Sequence, residues 1–131
     1  MPVSIRLIED GWIIHQICAD PWDMHEFAET FPAAKGMLDA ADHPVHFIVN
    51  LEGTIREPRG VLRFRQHPGF THPRTGFVVF VEANQLTRSI VQMGLRLIRF
   101  NRAKFFPTEA EALTFCRHMI APHGETILKM G

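Results

Sequence analysis

The chain has 131 residues, 46% apolar and 21% charged, with 14 basic residues against 14 acidic ones, which fits one globular domain and excludes a disordered chain. No run approaches the roughly 18 apolar residues of a membrane span, and the first ten residues lack a secretion-signal pattern, so a soluble, cytoplasmic protein that is not an integral membrane protein is expected. The neutral total hides a segregation: residues 1–55 carry nine acidic residues against Arg6 and Lys35, whereas residues 56–104 carry ten basic ones against Glu57 and Glu82. Two readings follow, a basic face for an acidic partner, phosphate or anionic lipid, or two halves that neutralise each other in the fold.

Two β-prone runs, Val3 to Ile8 and Trp12 to Cys18, flank Glu9-Asp10-Gly11. Asp-Gly between such runs predicts an antiparallel hairpin, because a primed turn needs positive φ at its centre. After Asp20-Pro21, the residues Phe27, Phe31, Ala34, Leu38 and Ala41 recur at helical spacing. Pro32 falls inside that region and predicts a kink or a break into two helices near Thr30. Val45 to Leu51 is continuously apolar and β-branched apart from His46 and Asn50, as a central parallel strand covered on both faces would be.

Glu57-Pro58 predicts the start of a short helix with Val61, Leu62 and Phe64 inward and Arg59 and Arg63 outward, ended by His67-Pro68-Gly69. Gly76 to Val81 reads as the next buried strand. Asn84 is placed to cap a helix whose apolar positions Leu86, Ile90, Met93 and Leu97 are expected to face the core, with Arg88, Arg96 and Arg99 on the other face. A short strand from Arg102 to Phe106 precedes Thr108-Glu109-Ala110-Glu111, a capping box that opens the last helix. Past Pro122 the chain is expected to fray. The predicted fold is therefore α/β, a single domain over residues 1–122 with a flexible tail at 123–131. Its mostly parallel mixed sheet of about five strands is flanked by helices in the order ββαβαβαβα.

Chemistry-bearing motifs are sparse. Cys18 and Cys116 have no CxxC companion and read as buried thiols. Among eight histidines, none has a ligand partner at metal-site spacing. His43 and His46 straddle a strand entry, and His67, His72, His118 and His123 read as surface or capping groups. No GxSxG, GxGxxG or P-loop pattern occurs, and no recognition-helix or RNA-motif signature accompanies the arginines. No catalytic residue, metal, cofactor or nucleic-acid partner is expected.

The element order, the VHFIVNLEG strand, the short helix at Pro58, the GFVVFVEAN strand and the closing FFPTEAEAL segment together resemble the STAS superfamily of bacterial anti-sigma-factor antagonists. The resemblance covers nearly the whole chain. A typical member reads Asp-Ser-Ser-Gly or Asp-Ser-Thr-Gly after the central strand. Aligned through Val49-Asn50-Leu51 and Gly60, that motif falls on Glu57-Pro58-Arg59-Gly60. Pro58 then occupies the phosphoacceptor position, where phosphorylation is impossible, and Asn50 replaces the strand-end aspartate. Thr54 is either a displaced phosphoacceptor or a loop hydroxyl that satisfies nearby backbone. Glu57 either supplies permanently the charge a phosphate would supply on demand or acts as an ordinary first-turn cap. Arg56 and Arg59 either capture an anion at the end of a parallel strand or remain solvated.

The resemblance implies a non-catalytic regulatory domain that binds another protein. Asn50, Thr54, Arg56, Glu57, Pro58, Arg59, Gly60 and Arg63 are the candidate contact residues. The alternative is a sensor of a small anion, nucleotide or lipid that uses the Arg88, Arg96 and Arg99 face over a pocket between that helix and the sheet. Self-association as a homodimer stays open.

Overall fold

A computed structural model describes the backbone of residues 3–19, 21–53, 61–81 and 84–130, with side chains described for 3–19, 21–51, 64–81 and 84–121. Strand β1 (Val3–Ile8) pairs antiparallel with β2 (Ile13–Ala19), and β3 (Val45–Gly53), β4 (Thr75–Val81) and β5 (Ala103–Phe106) follow in parallel, in spatial order β1-β2-β3-β4-β5. The expected α/β class with a five-stranded mixed sheet is what the chain adopts. Each parallel step moves in the same direction, so right-handed crossovers put every connecting segment on one face. These are α1 (Met24–Ala28), α2 (Phe31–Ala40), two 3-10 turns (Val61–Gln66 and Pro68–Phe70) and α3 (Gln85–Leu97). The last helix, α4 (Glu109–Met130), returns across the opposite face.

Strand alternation distributes the apolar residues between these two layers. Ile14, Cys18, Phe47, Val49, Leu51, Val78 and Phe80 point under α1, α2 and α3, while Ile13, Ile48, Val79 and Val81 point under Ala112 and Cys116 of α4. Each fully buried Ile, Val or Phe contributes roughly 1.5–3 kcal/mol. The near-continuous apolarity of β3 thus reflects burial on both faces.

Several local expectations change. The hairpin forms with the expected positive φ, at Glu9, Asp10 and Gly11 (53°, 54° and 89°), and Ile8 pairs with Ile13, so Trp12 joins these three in the connection. The helical region does break at Thr30, because Pro32 sits in the first turn of α2, where its missing N–H has no partner to lose.

Between β3 and β4 the described residues hold 3-10 turns where an α-helix was expected, so the element order differs from ββαβαβαβα. His67, preceding Pro68, is forced to an extended ψ of 131° and ends the first turn after six residues. The backbone of 123–130 is helical as far as Met130.

Candidate functional site

The most unusual surface lies on α3. Asn84 caps it by accepting a hydrogen bond from the Thr87 N–H at 2.8 Å. The helix then turns Thr87, Val91, Gly94 and Leu95 inward. Leu86, Met93 and Leu97 are 58%, 57% and 66% exposed, which overturns the expectation that this stripe faces the core.

One close contact lies on the buried arc. A Cβ on Gly94 would lie 2.5 Å from Phe64 Cζ, so only glycine lets the first 3-10 turn approach the helix here. At 100° per residue, Leu86, Ile90, Met93 and Leu97 form a stripe whose centre lies roughly a third of a turn from that of the buried arc, with Ile90 nearest to it. Two apolar stripes share the helix, and Gly94 belongs to the buried one.

The arginines around α3 do not form one cluster. Arg88 lies over the Phe105 ring, 5.0 Å from its centroid. Arg88 and Arg96 are eight residues apart, roughly 12 Å along the axis, too far to fork one phosphate. Arg99 lies beyond the helix. Its φ of 58° and the bonds Arg99 N–H to Arg96 O (3.2 Å) and Phe100 N–H to Leu95 O (3.0 Å) make it the left-handed residue of a Schellman cap, a position that favours glycine. Arg102 lies over Phe100 and donates to the Gly76 carbonyl at 3.0 Å. Among the described residues, Arg88, Arg96, Arg99 and Arg102 form no ion pair, and α3 carries no acidic residue.

Asn50 sits within β3, turned toward α4. It is 6% exposed, and its Nδ2 donates to Glu109 Oε1 at 3.4 Å. Thr54, Arg56, Glu57, Pro58, Arg59 and Gly60 lie outside the described residues. Arg63 belongs to the Val61–Gln66 turn that packs beside α3.

Two polar clusters were not foreseen. On the α4 face, Arg6 Nε donates to His15 Nδ1 at 3.4 Å, and the other ring nitrogen of His15 bonds Glu109 Oε1. An accepting Nδ1 fixes the Nε2–H tautomer, and both nitrogens are engaged in tying the start of α4 to the sheet. On the opposite face, His67 is buried in the core and not on the surface, although it does cap: its Nδ1 accepts from the Gly69 N–H at 2.8 Å. Its Nε2 donates to Gln16 Oε1 at 2.7 Å, Gln16 Nε2 donates to Thr30 Oγ1 at 2.8 Å, and that hydroxyl donates to the Phe27 carbonyl at 2.6 Å. Phe27, Phe31, Phe47 and Phe70 surround the ring. Burial pushes its pKa down to about 3.

The other histidines are also tied to local structure. His43 stacks on Trp12, while His46 accepts from the Phe77 N–H at 2.9 Å. His72 pairs with Asp39 at 2.7 Å. Cys18 and Cys116 are free and buried, and burial pushes both thiols up to about 12. No described helix is long and apolar enough to cross a membrane. Compared with known proteins, the chain matches no family model, no curated protein and no solved structure.

Proposed function

We propose that the chain is a non-catalytic, STAS-like interaction domain that docks a protein partner on the outer stripe of α3. The observation that carries this reading is the exposure of Leu86, Met93 and Leu97 on a capped helix whose opposite side is packed. Scattered exposed leucines are ordinary, but three aligned on one helix face form a surface that a partner helix fits. Charge selects the partner: Arg96, three residues from Met93 and beside the stripe, forms no ion pair among the described residues and favours an acidic residue on the docked segment.

Thr54, Arg56, Glu57, Pro58, Arg59 and Gly60 are candidate contact residues by the resemblance alone. With Pro58 at the phosphoacceptor position, the docking is constitutive with respect to serine phosphorylation. Anion sensing by the arginines is the weaker reading, because Arg88 is engaged on Phe105 and Arg99 terminates the helix.

The test is the double variant Met93→Glu/Leu97→Glu, with Leu7→Glu as a control at another exposed leucine. Loss of a stoichiometric partner in the first and its retention in the second supports the reading. Retention in both overturns it.

A further inference from the structure

Strand β5 is an edge of the sheet, and its partner among the described strands is β4. In a parallel ladder alternate residues turn their backbone groups to opposite sides. The bond from the Val78 N–H to the Arg102 carbonyl (2.9 Å) fixes which of them face β4. The N–H and C=O groups of Ala103 and Phe105 therefore point outward, and no described strand meets them.

Beside this edge runs a groove of about 260 Å³ whose walls include Gln92, Leu95, Arg96, Phe100, Ala103 and Phe105. One wall is a flank of α3, where Arg88, Gln92 and Arg96 follow at four-residue intervals, roughly 6 Å apart along the axis. Arg88 reaches the Phe105 ring, a contact that uses none of its N–H donors on an oxygen. Alternate residues of a strand recur about every 6.6 Å, so a strand laid along β5 runs nearly in step with that row.

Charge chooses the occupant. Arg88, Arg96 and the exposed Lys104 form no ion pair among the described residues, and none of the residues lining the groove except Arg96 is charged. A second copy paired edge to edge would set these cations against themselves. We infer that the β5 edge takes an extended acidic segment of a partner protein as a sixth strand. Ala103 and Phe105 supply the backbone hydrogen bonds, and Arg88 and Arg96 receive carboxylates four residues apart on that segment. The inference does not rest on the outer stripe of α3, which is a separate surface of the same helix.

The probe is a fluorescently labelled heptapeptide, Thr-Glu-Val-Gln-Val-Glu-Thr, whose two glutamates have this spacing on one face. Its anisotropy is expected to rise saturably on titration with the chain. Arg88→Gln/Arg96→Gln, at exposed positions, should weaken binding about tenfold. Two N-methylated peptides, one modified at the valines and one at the three residues alternating with them, each remove the backbone donors of one peptide edge, so one should lose binding and the other keep it. Met93→Ser/Leu97→Ser, which removes the outer stripe without adding charge, should bind the peptide as the parent does. A linear response, equal affinity in the double arginine variant, N-methylated peptides that bind alike, or loss of binding in Met93→Ser/Leu97→Ser overturns the inference. The N-methylated peptides act on the unmodified chain, so they test the edge even where a variant misfolds.

Discussion

The ring of Phe64 rests against the backbone of Gly94, so closely that a Cβ on the glycine would sit 2.5 Å from Phe64 Cζ. The contact lies on the buried arc of α3, which Thr87, Val91 and Leu95 complete. Leu86, Met93 and Leu97 lie outside that arc, and the proposed function depends on that rotation.

Gly94→Ala should cost about 1–3 kcal/mol through overpacking, even though alanine is the better helix former. Gly36, in α2, has nothing within 4 Å of the place its Cβ would occupy. Gly36→Ala should therefore stabilise by about 0.5–1 kcal/mol. Urea denaturation of the two variants is expected to give opposite signs, and equal signs would contradict the role given to Phe64.

The buried arc of α3 gives a second comparison. Leu95→Ala should lose about 2–5 kcal/mol and Leu97→Ala within about 0.5 kcal/mol, measured by the same denaturation. The reverse ranking would place the Leu97 stripe in the core.

His67 makes stability acid-sensitive. Folded, it stays neutral down to about pH 3, while in the unfolded chain it protonates near 6.5. The unfolded state thus binds more protons between these values. The contribution of neutral His67 is complete above about pH 6.5 and declines as the pH falls toward 3, by at most about 1.4 kcal/mol per unit. Denaturation midpoints recorded from pH 7 to pH 4 should fall along this slope, and His67→Gln should flatten it.

Arg99 holds a left-handed conformation at the end of α3. Arg99→Gly should gain about 1 kcal/mol in the same assay, by relieving the Cβ clash. A loss would mean that the Arg99 side chain makes a stabilising contact larger than this strain.

Much of the layering was legible in the sequence. The apolar run Val45 to Leu51 marked the central strand, and Pro32 marked the break between α1 and α2, because both signals are local backbone or burial requirements. α3 misled for a physical reason: it carries two apolar stripes, and periodicity cannot say which is buried when a glycine on one of them accepts a distant phenylalanine. His67-Pro68-Gly69 read as punctuation, which it is, but the aromatic residues that enclose His67 come from α1, α2, β3 and the turn beyond it. The His15–Glu109 and Asn50–Glu109 bonds join residues 94 and 59 positions apart, a separation no local pattern records. Of the candidate site, the arginines of α3 were visible individually; their dispersal followed from helix rise and from the Schellman cap.

The most direct measurement is native mass spectrometry of the protein isolated from the cells that make it, beside Met93→Glu/Leu97→Glu prepared in the same way. The account predicts a partner protein in fixed stoichiometry with the parent chain and a bare, folded chain for the variant. A parent chain that carries no protein partner, or a complex that survives both substitutions, would contradict it.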